Sequence, residues 1–123
     1  MSEHPNATMI REGFAALDRG ELDLADGLAE DVVWHEIGRP DPVRGKGAVV
    51  AHLSQDQDWE IHPQLHDALA NDEHGVALIN ASARRGDRSF EYRVIEVYHL
   101  RDGLITERWA FSDDTDRIAR FFE

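Results

Sequence analysis

The sequence predicts an α+β domain: helical spacing fills most of the first half, strict alternation fills the second, and no regular strand-helix-strand repeat joins them. The chain has 123 residues. A compact domain needs on the order of 100, so a single domain over residues 1–123 is expected. A 41% hydrophobic and 31% charged composition is that of a globular protein rather than a fibrous or disordered one.

Ile10, Phe14 and Leu17 lie at i, i+4 and i+7, which predicts a helix from about Asn6 to Gly20. Leu22, Ala25, Leu28 and Ala29 form a second apolar stripe, with Asp23 as its cap. The period then changes to two. Val32–Ile37 is a β-branched and aromatic run that ends at Gly38, Pro40 and Pro42, so a strand is expected there, followed by a turn-rich loop. Gly45–Leu53 returns to helical spacing. Four alternating runs follow, Trp59–Ala70, Val76–Ala83, Ser89–Leu100 and Leu104–Ser112, separated by turn-type segments. They predict an antiparallel meander with the helices covering one face of a curved sheet. The tail Asp116–Phe122 gathers Ile118, Phe121 and Phe122, too short a stretch to be helical unless it docks.

Thirteen basic against 25 acidic residues give a net charge of −12, which repels phosphate backbones and anionic membrane surfaces, so neither nucleic acid nor membrane is an expected partner. The absence of cysteine removes disulfides, thiolate metal sites and Cys nucleophiles and suggests a cytoplasmic setting. No apolar run approaches the roughly 20 residues of a membrane span. Glu3, Arg11 and Glu12 occupy the stretch where a signal peptide would be apolar, so export is not expected. His62 and His66 fall in an alternating segment, where i, i+4 side chains stand roughly 13 Å apart, so no metal site is expected there.

The strand Ser89–Leu100 carries the most informative pattern. Phe90, Tyr92, Val94, Glu96, Tyr98 and Leu100 share a face on which Glu96 is the one charge. A carboxylate in an apolar row costs several kcal/mol unless it is paired or hydrogen-bonded. The following turn offers a partner. If Arg101-Asp102-Gly103 is a three-residue loop, the register preferred here, Glu96 lies opposite Arg108 and the two are buried together. If Asp102-Gly103 is a two-residue turn, Glu96 faces Trp109 and Arg108 points away, an arrangement favoured by the apolar set Ile105, Trp109 and Phe111. Glu36 offers a second acid, on the same strand face as Val32 and Trp34. Two carboxylates on neighbouring strands can serve as acid and base when their surroundings differ. Each also has a structural reading: Glu36 as a solvated acid at a cavity mouth, Glu96 with Arg108 as a buried ion pair. Trp34, Tyr98, Trp109 and Phe14 are candidate ligand platforms that would equally serve as core, and Asn80 with Ser82 would place polar groups inside the fold or cross-link strands.

The segments FAALDRGELD, LAEDVVWHEIG, VRGKGAVVAHL and RVIEVYHLRDGLITERWAF, taken in order, resemble the nuclear-transport-factor-2-like, SnoaL-like superfamily, which includes ketosteroid isomerase. The resemblance implies a cone-shaped roll, with a curved antiparallel or mixed sheet wrapped around N-terminal helices and an internal pocket. It places the isomerase's proton-transfer base on Glu36 and its oxyanion-binding acid on Glu96. That isomerase is the standard example of a carboxylic acid held neutral by an apolar site. The isomerase's oxyanion tyrosine aligns with Gly13, and an apolar position beside the second acid aligns with Arg108, whose guanidinium would favour the ionised acid. Steroid isomerisation is therefore not expected. The paired-aspartate and arginine set of the superfamily's epoxide hydrolases is not matched, since the final-strand acid aligns with Ala110. The expectation is a cofactor-free pocket protein acting by proton transfer on an apolar carbonyl compound, with Glu36 as base and Arg108, Glu96 and Asn80 at the oxygen. The alternative is a binding or accessory protein without turnover. Ile95 and Val97 on the outer sheet face, with the resemblance, suggest a homodimer.

Overall fold

A computed structural model describes residues 3–55 and 57–123. Helix α1, Pro5–Asp18, starts where Pro5 pre-sets the first turn and His4 Nδ1 accepts the Asn6 amide at 3.1 Å. The second expected helix is only a 3₁₀ turn, Leu24–Gly27, capped by Asp23. Leu28 and Ala29, assigned to that helix on periodicity, instead open strand β1, Leu28–Trp34. Gly27 and the β-branched pair Val32-Val33 prevailed over a weak helical stripe. The first strand thus begins earlier than Val32 and ends at Trp34, with Glu36 just beyond it.

A two-residue strand β2, Val43–Arg44, precedes α2, Lys46–Leu53. Then come β3 (Glu60–Ala70), β4 (His74–Arg85), β5 (Arg88–Arg101), β6 (Leu104–Ser112) and the short helix α3 (Thr115–Phe121). The strands form one curved, open, mixed sheet in the order β2-β1-β6-β5-β4-β3. The β1–β6 pair is parallel and the others antiparallel. This is the α+β architecture read from the periodicities.

The helices lie on the inner face. Gly75 lets α1 approach β4, since a Cβ there would meet Ile10 Cδ1 at 2.7 Å and Tyr98 Cδ2 at 3.3 Å. Arg11 fastens the helix to β3 through Asp67 and the Ala68 carbonyl. Alternation then builds the core: Ala77, Ile79 and Ala81 of β4 and Val94, Tyr98 and Leu100 of β5 bury with Ile10. Under α2, Val32 and Val49 are wholly buried beside Leu28 and Trp34, each contributing about 1.5–3 kcal/mol. The tail does dock: Asp114 caps α3, and Ile118 and Phe121 bury against Ala83 and Phe90.

The β5–β6 hairpin follows neither expected register. Its turn is the two-residue Asp102-Gly103 type, with φ of 53° and 77° at those residues. A bulge at Thr106 then adds one residue to β6, so Leu100 pairs with Ile105 but His99 pairs with Glu107. Glu96 lies opposite Ala110, and Tyr98 opposite Arg108. Arg108 consequently faces inward with Glu96, as the three-residue loop would have placed it, although the turn is the other one.

Candidate functional site

The inward side chains of β5, β6 and the segment after β1 converge on one charged array. Arg108 is its centre, with its side chain 11% exposed. Its Nε donates to Glu96 Oε1 at 3.3 Å, Nη2 lies 3.3 Å from the same oxygen, and Nη1 donates to the His35 carbonyl at 2.9 Å. The guanidinium also stacks over the Trp34 ring, 4.5 Å from its centroid. A backbone bond from the His35 amide to the Arg108 carbonyl, 2.9 Å, ties the two segments again.

Glu96 is buried at 9% exposure, and Tyr98 Oη donates to its Oε1 at 3.1 Å. Two hydrogen-bond donors on one oxygen, with the guanidinium charge beside it, make Glu96 Oε1 an acceptor. Glu36 is the accessible acid, with 31% of its side chain open. Its Oε1 accepts Trp34 Nε1 and contacts His52 Nε2, each at 3.1 Å, while its Oε2 stands 3.9 Å from Arg108 Nη1. Burial, with Glu96 nearby, pushes the Tyr98 phenol well above its usual range. Tyr92 is pushed up to about 12, chiefly by burial; Arg108 opposes that shift, whereas Glu96 and Glu36 reinforce it. Both tyrosines therefore stay protonated donors near neutral pH.

Glu36, Glu96, Arg108, Trp34 and Tyr98 thus come together, and Phe14 packs on the inner cluster behind them. Two expected residues do not join. Asn80 is exposed on the outer face, paired with Gln64 and Arg93, because Ala77, Ile79 and Ala81 take the inward positions of β4. Ser82 shares that outward parity. Trp109 also faces outward, since the bulge that turns Arg108 in turns its neighbour out; its ring stacks on His35 with centroids 5.2 Å apart. Two further residues near the array carry no distinct signal in the sequence. Tyr92 shares the face of Glu96 in a row that reads as core, and His52 is three residues from the buried Val49 and so on the same side of α2.

An open concavity of about 600 Å³, lined by Asp58, Arg85, Gly86, Arg88, Arg120 and Glu123, lies apart from the array and includes neither Glu36 nor Glu96. Among the described residues, no group of three or more His, Asp or Glu side chains is placed to hold a metal ion, and no helix is long and apolar enough to cross a membrane.

The fold has solved relatives. A nuclear-transport-factor-2-like protein of unknown function from Burkholderia pseudomallei superposes with a TM-score of 0.81 at 21% identity, covering 99% of this chain and 98% of that one. A candidate polyketide cyclase from Xanthomonas campestris gives 0.73 at 23% identity, over 96% and 98%. An LEH-like epoxide hydrolase from M. tuberculosis gives 0.71 at 19% identity, over 93% and 86%. At such identities these likenesses speak for the fold. No functionally curated protein matches the sequence. The SnoaL-like domain model matches residues 10–108, and with that match over most of its length the chain belongs to the SnoaL-like domain family.

Proposed function

We propose that the array is the site of a cofactor-independent proton transfer on an apolar carbonyl compound, of the isomerase or cyclase type. One observation carries the reading: Oε2 of Glu36, the more exposed of the two acids, stands 3.9 Å from the largely enclosed Arg108 guanidinium. A base must accept a proton from carbon and a cation must meet the charge that then develops on oxygen, and here the two groups are neighbours. Glu36 is the base. Arg108 holds the oxygen, with the protonated Tyr92 as a second donor in the part assigned above to Asn80. Glu96 and Tyr98 hold Arg108 in place. The candidate polyketide cyclase among the similar folds is in keeping with this reaction class.

The test is deuterium exchange at the α-carbon of acetophenone and meta-hydroxyacetophenone in heavy water. Glu36→Gln is expected to slow exchange by at least about 100-fold; unchanged exchange removes Glu36 as base. A second reading, binding without turnover, draws on the internal saturation of the array: Glu36 Oε1 and the Arg108 guanidinium already have protein partners.

A homodimer through the outer face is also proposed. Leu69, Val76, Val97 and Trp109 form one cross-strand row there, and Leu78, Ile95 and Phe111 the next. Leu69, Ile95 and Phe111 are 56%, 44% and 57% exposed. These exposed apolar positions, flanked on β3 by Asp67 opposite Leu78, suit a second copy that covers them with the same residues.

A further inference from the structure

We infer that the ligand of this site carries a hydroxyl close to its carbonyl, and that Glu96 Oε2 receives that hydroxyl's proton in a hydrogen bond. The inference rests on the reading of the Glu36–Arg108–Glu96 array as a ligand site, though not on turnover there.

The two oxygens of Glu96 are treated unequally. Oε1 has Tyr98 Oη at 3.1 Å and Arg108 Nε and Nη2 each at 3.3 Å. Oε2 has no protein partner among the described residues. Yet no side-chain polar atom described is both buried and unpartnered, so Oε2 keeps some accessible surface although Glu96 as a whole is 9% exposed. The residues opposite Glu96 on its two neighbouring strands are Ala77 and Ala110. Methyl groups there supply no donor and leave room.

An acceptor-only oxygen in such a place is costly to leave unpaired, so whatever sits against it must donate. A simple ketone or an ether brings acceptors alone. Arg108 presents the opposite demand. Of its five N–H groups, hydrogen bonds engage the one on Nε and one on Nη1, so the pair on Nη2, which stands 3.3 Å from Glu96 Oε1 as a charge contact, can meet a carbonyl. An acceptor beside a pair of free donors is the complement of a hydroxy-ketone. Sites built to hydrogen-bond a substrate hydroxyl discriminate strongly against analogues that lack it.

The test titrates the intact chain with meta-hydroxyacetophenone, acetophenone and meta-methoxyacetophenone, following amide chemical shifts by NMR. The hydroxyl compound is expected to bind about tenfold or more tightly than either of the others, and Glu96→Gln to reduce that preference to within about twofold. Equal binding of the three, no binding of the hydroxyl compound, or a preference that survives in folded Glu96→Gln would each overturn the inference. Should Glu96→Gln not fold, the hydroxyl and methoxy ligands decide the matter on the wild-type chain. A hydroxyl preference without α-carbon exchange would overturn the proton-transfer reading and leave this one standing.

Discussion

The two faces of β5 invert the simplest expectation about inside and outside. Its inner face holds a carboxylate, Glu96, among buried neighbours, while its outer face leaves Ile95 open to solvent beside Val97 and the exposed Phe111 of β6. The difference lies in how each side is satisfied. Inside, every charged group is held by several partners, and removing one strands the others. Outside, Leu69, Ile95 and Phe111 stand largely open, and their apolar surface meets water until something covers it.

That contrast can be broken from either side. The largest effect is expected for Arg108→Leu, which leaves Glu96 buried without its cation. Urea denaturation should show a loss of about 3–5 kcal/mol, and adding Glu96→Leu should recover most of it. If the single variant loses under about 1 kcal/mol, the inner ion pair is not the tightly held element described here.

An intermediate effect is expected at alkaline pH. The folded-state values of Tyr92 and Tyr98 lie above the unfolded value of about 10, Tyr92 at about 12. Their stabilising contribution is therefore fully present below about pH 10 and is lost as pH rises toward and beyond 12. The chain has only these two tyrosines, so phenolate absorbance followed alongside circular dichroism reads them directly. A tyrosine ionising near pH 10 while the fold is intact would contradict the burial of the inner face. The smallest effect on the fold belongs to the outer face. Phe111→Ser should change subunit stability by no more than about 0.5 kcal/mol and yet shift sedimentation from dimer to monomer. A wild-type chain that sediments as monomer at micromolar concentration removes the proposed interface.

Much of this was legible in the sequence, for reasons that particular residues make plain. The alternation from Phe90 to Leu100 announced the inner row correctly, because a long central strand with one face dry leaves little freedom of register. Trp34 and Glu36 likewise kept the parity of their run even though the strand ends between them. The hairpin was harder. The apolar set Ile105, Trp109 and Phe111 argues for Asp102-Gly103 as a two-residue turn, and turn chemistry argues for the three-residue loop that sets Arg108 inside; the structure has the short turn and still brings Arg108 inward, because Thr106 bulges. No local pattern marks a bulge at that threonine. Asn80 failed for a different reason: β4 carries small alanines inward, and polar residues beside small apolar ones give no clear sign of which parity faces the core.

The parallel pairing of β1 with β6 sets Leu28 beside Ile105 and Trp34 beside Arg108, so the array draws on opposite ends of the chain. Contacts so distant in sequence carry the steepest loop-closure cost and tend to come late in folding. A nascent chain that has emerged only as far as β5 can form α1, α2 and its first hairpins, but it lacks Arg108, the cation shared by the two acids. The charged array is completed only with the last strand.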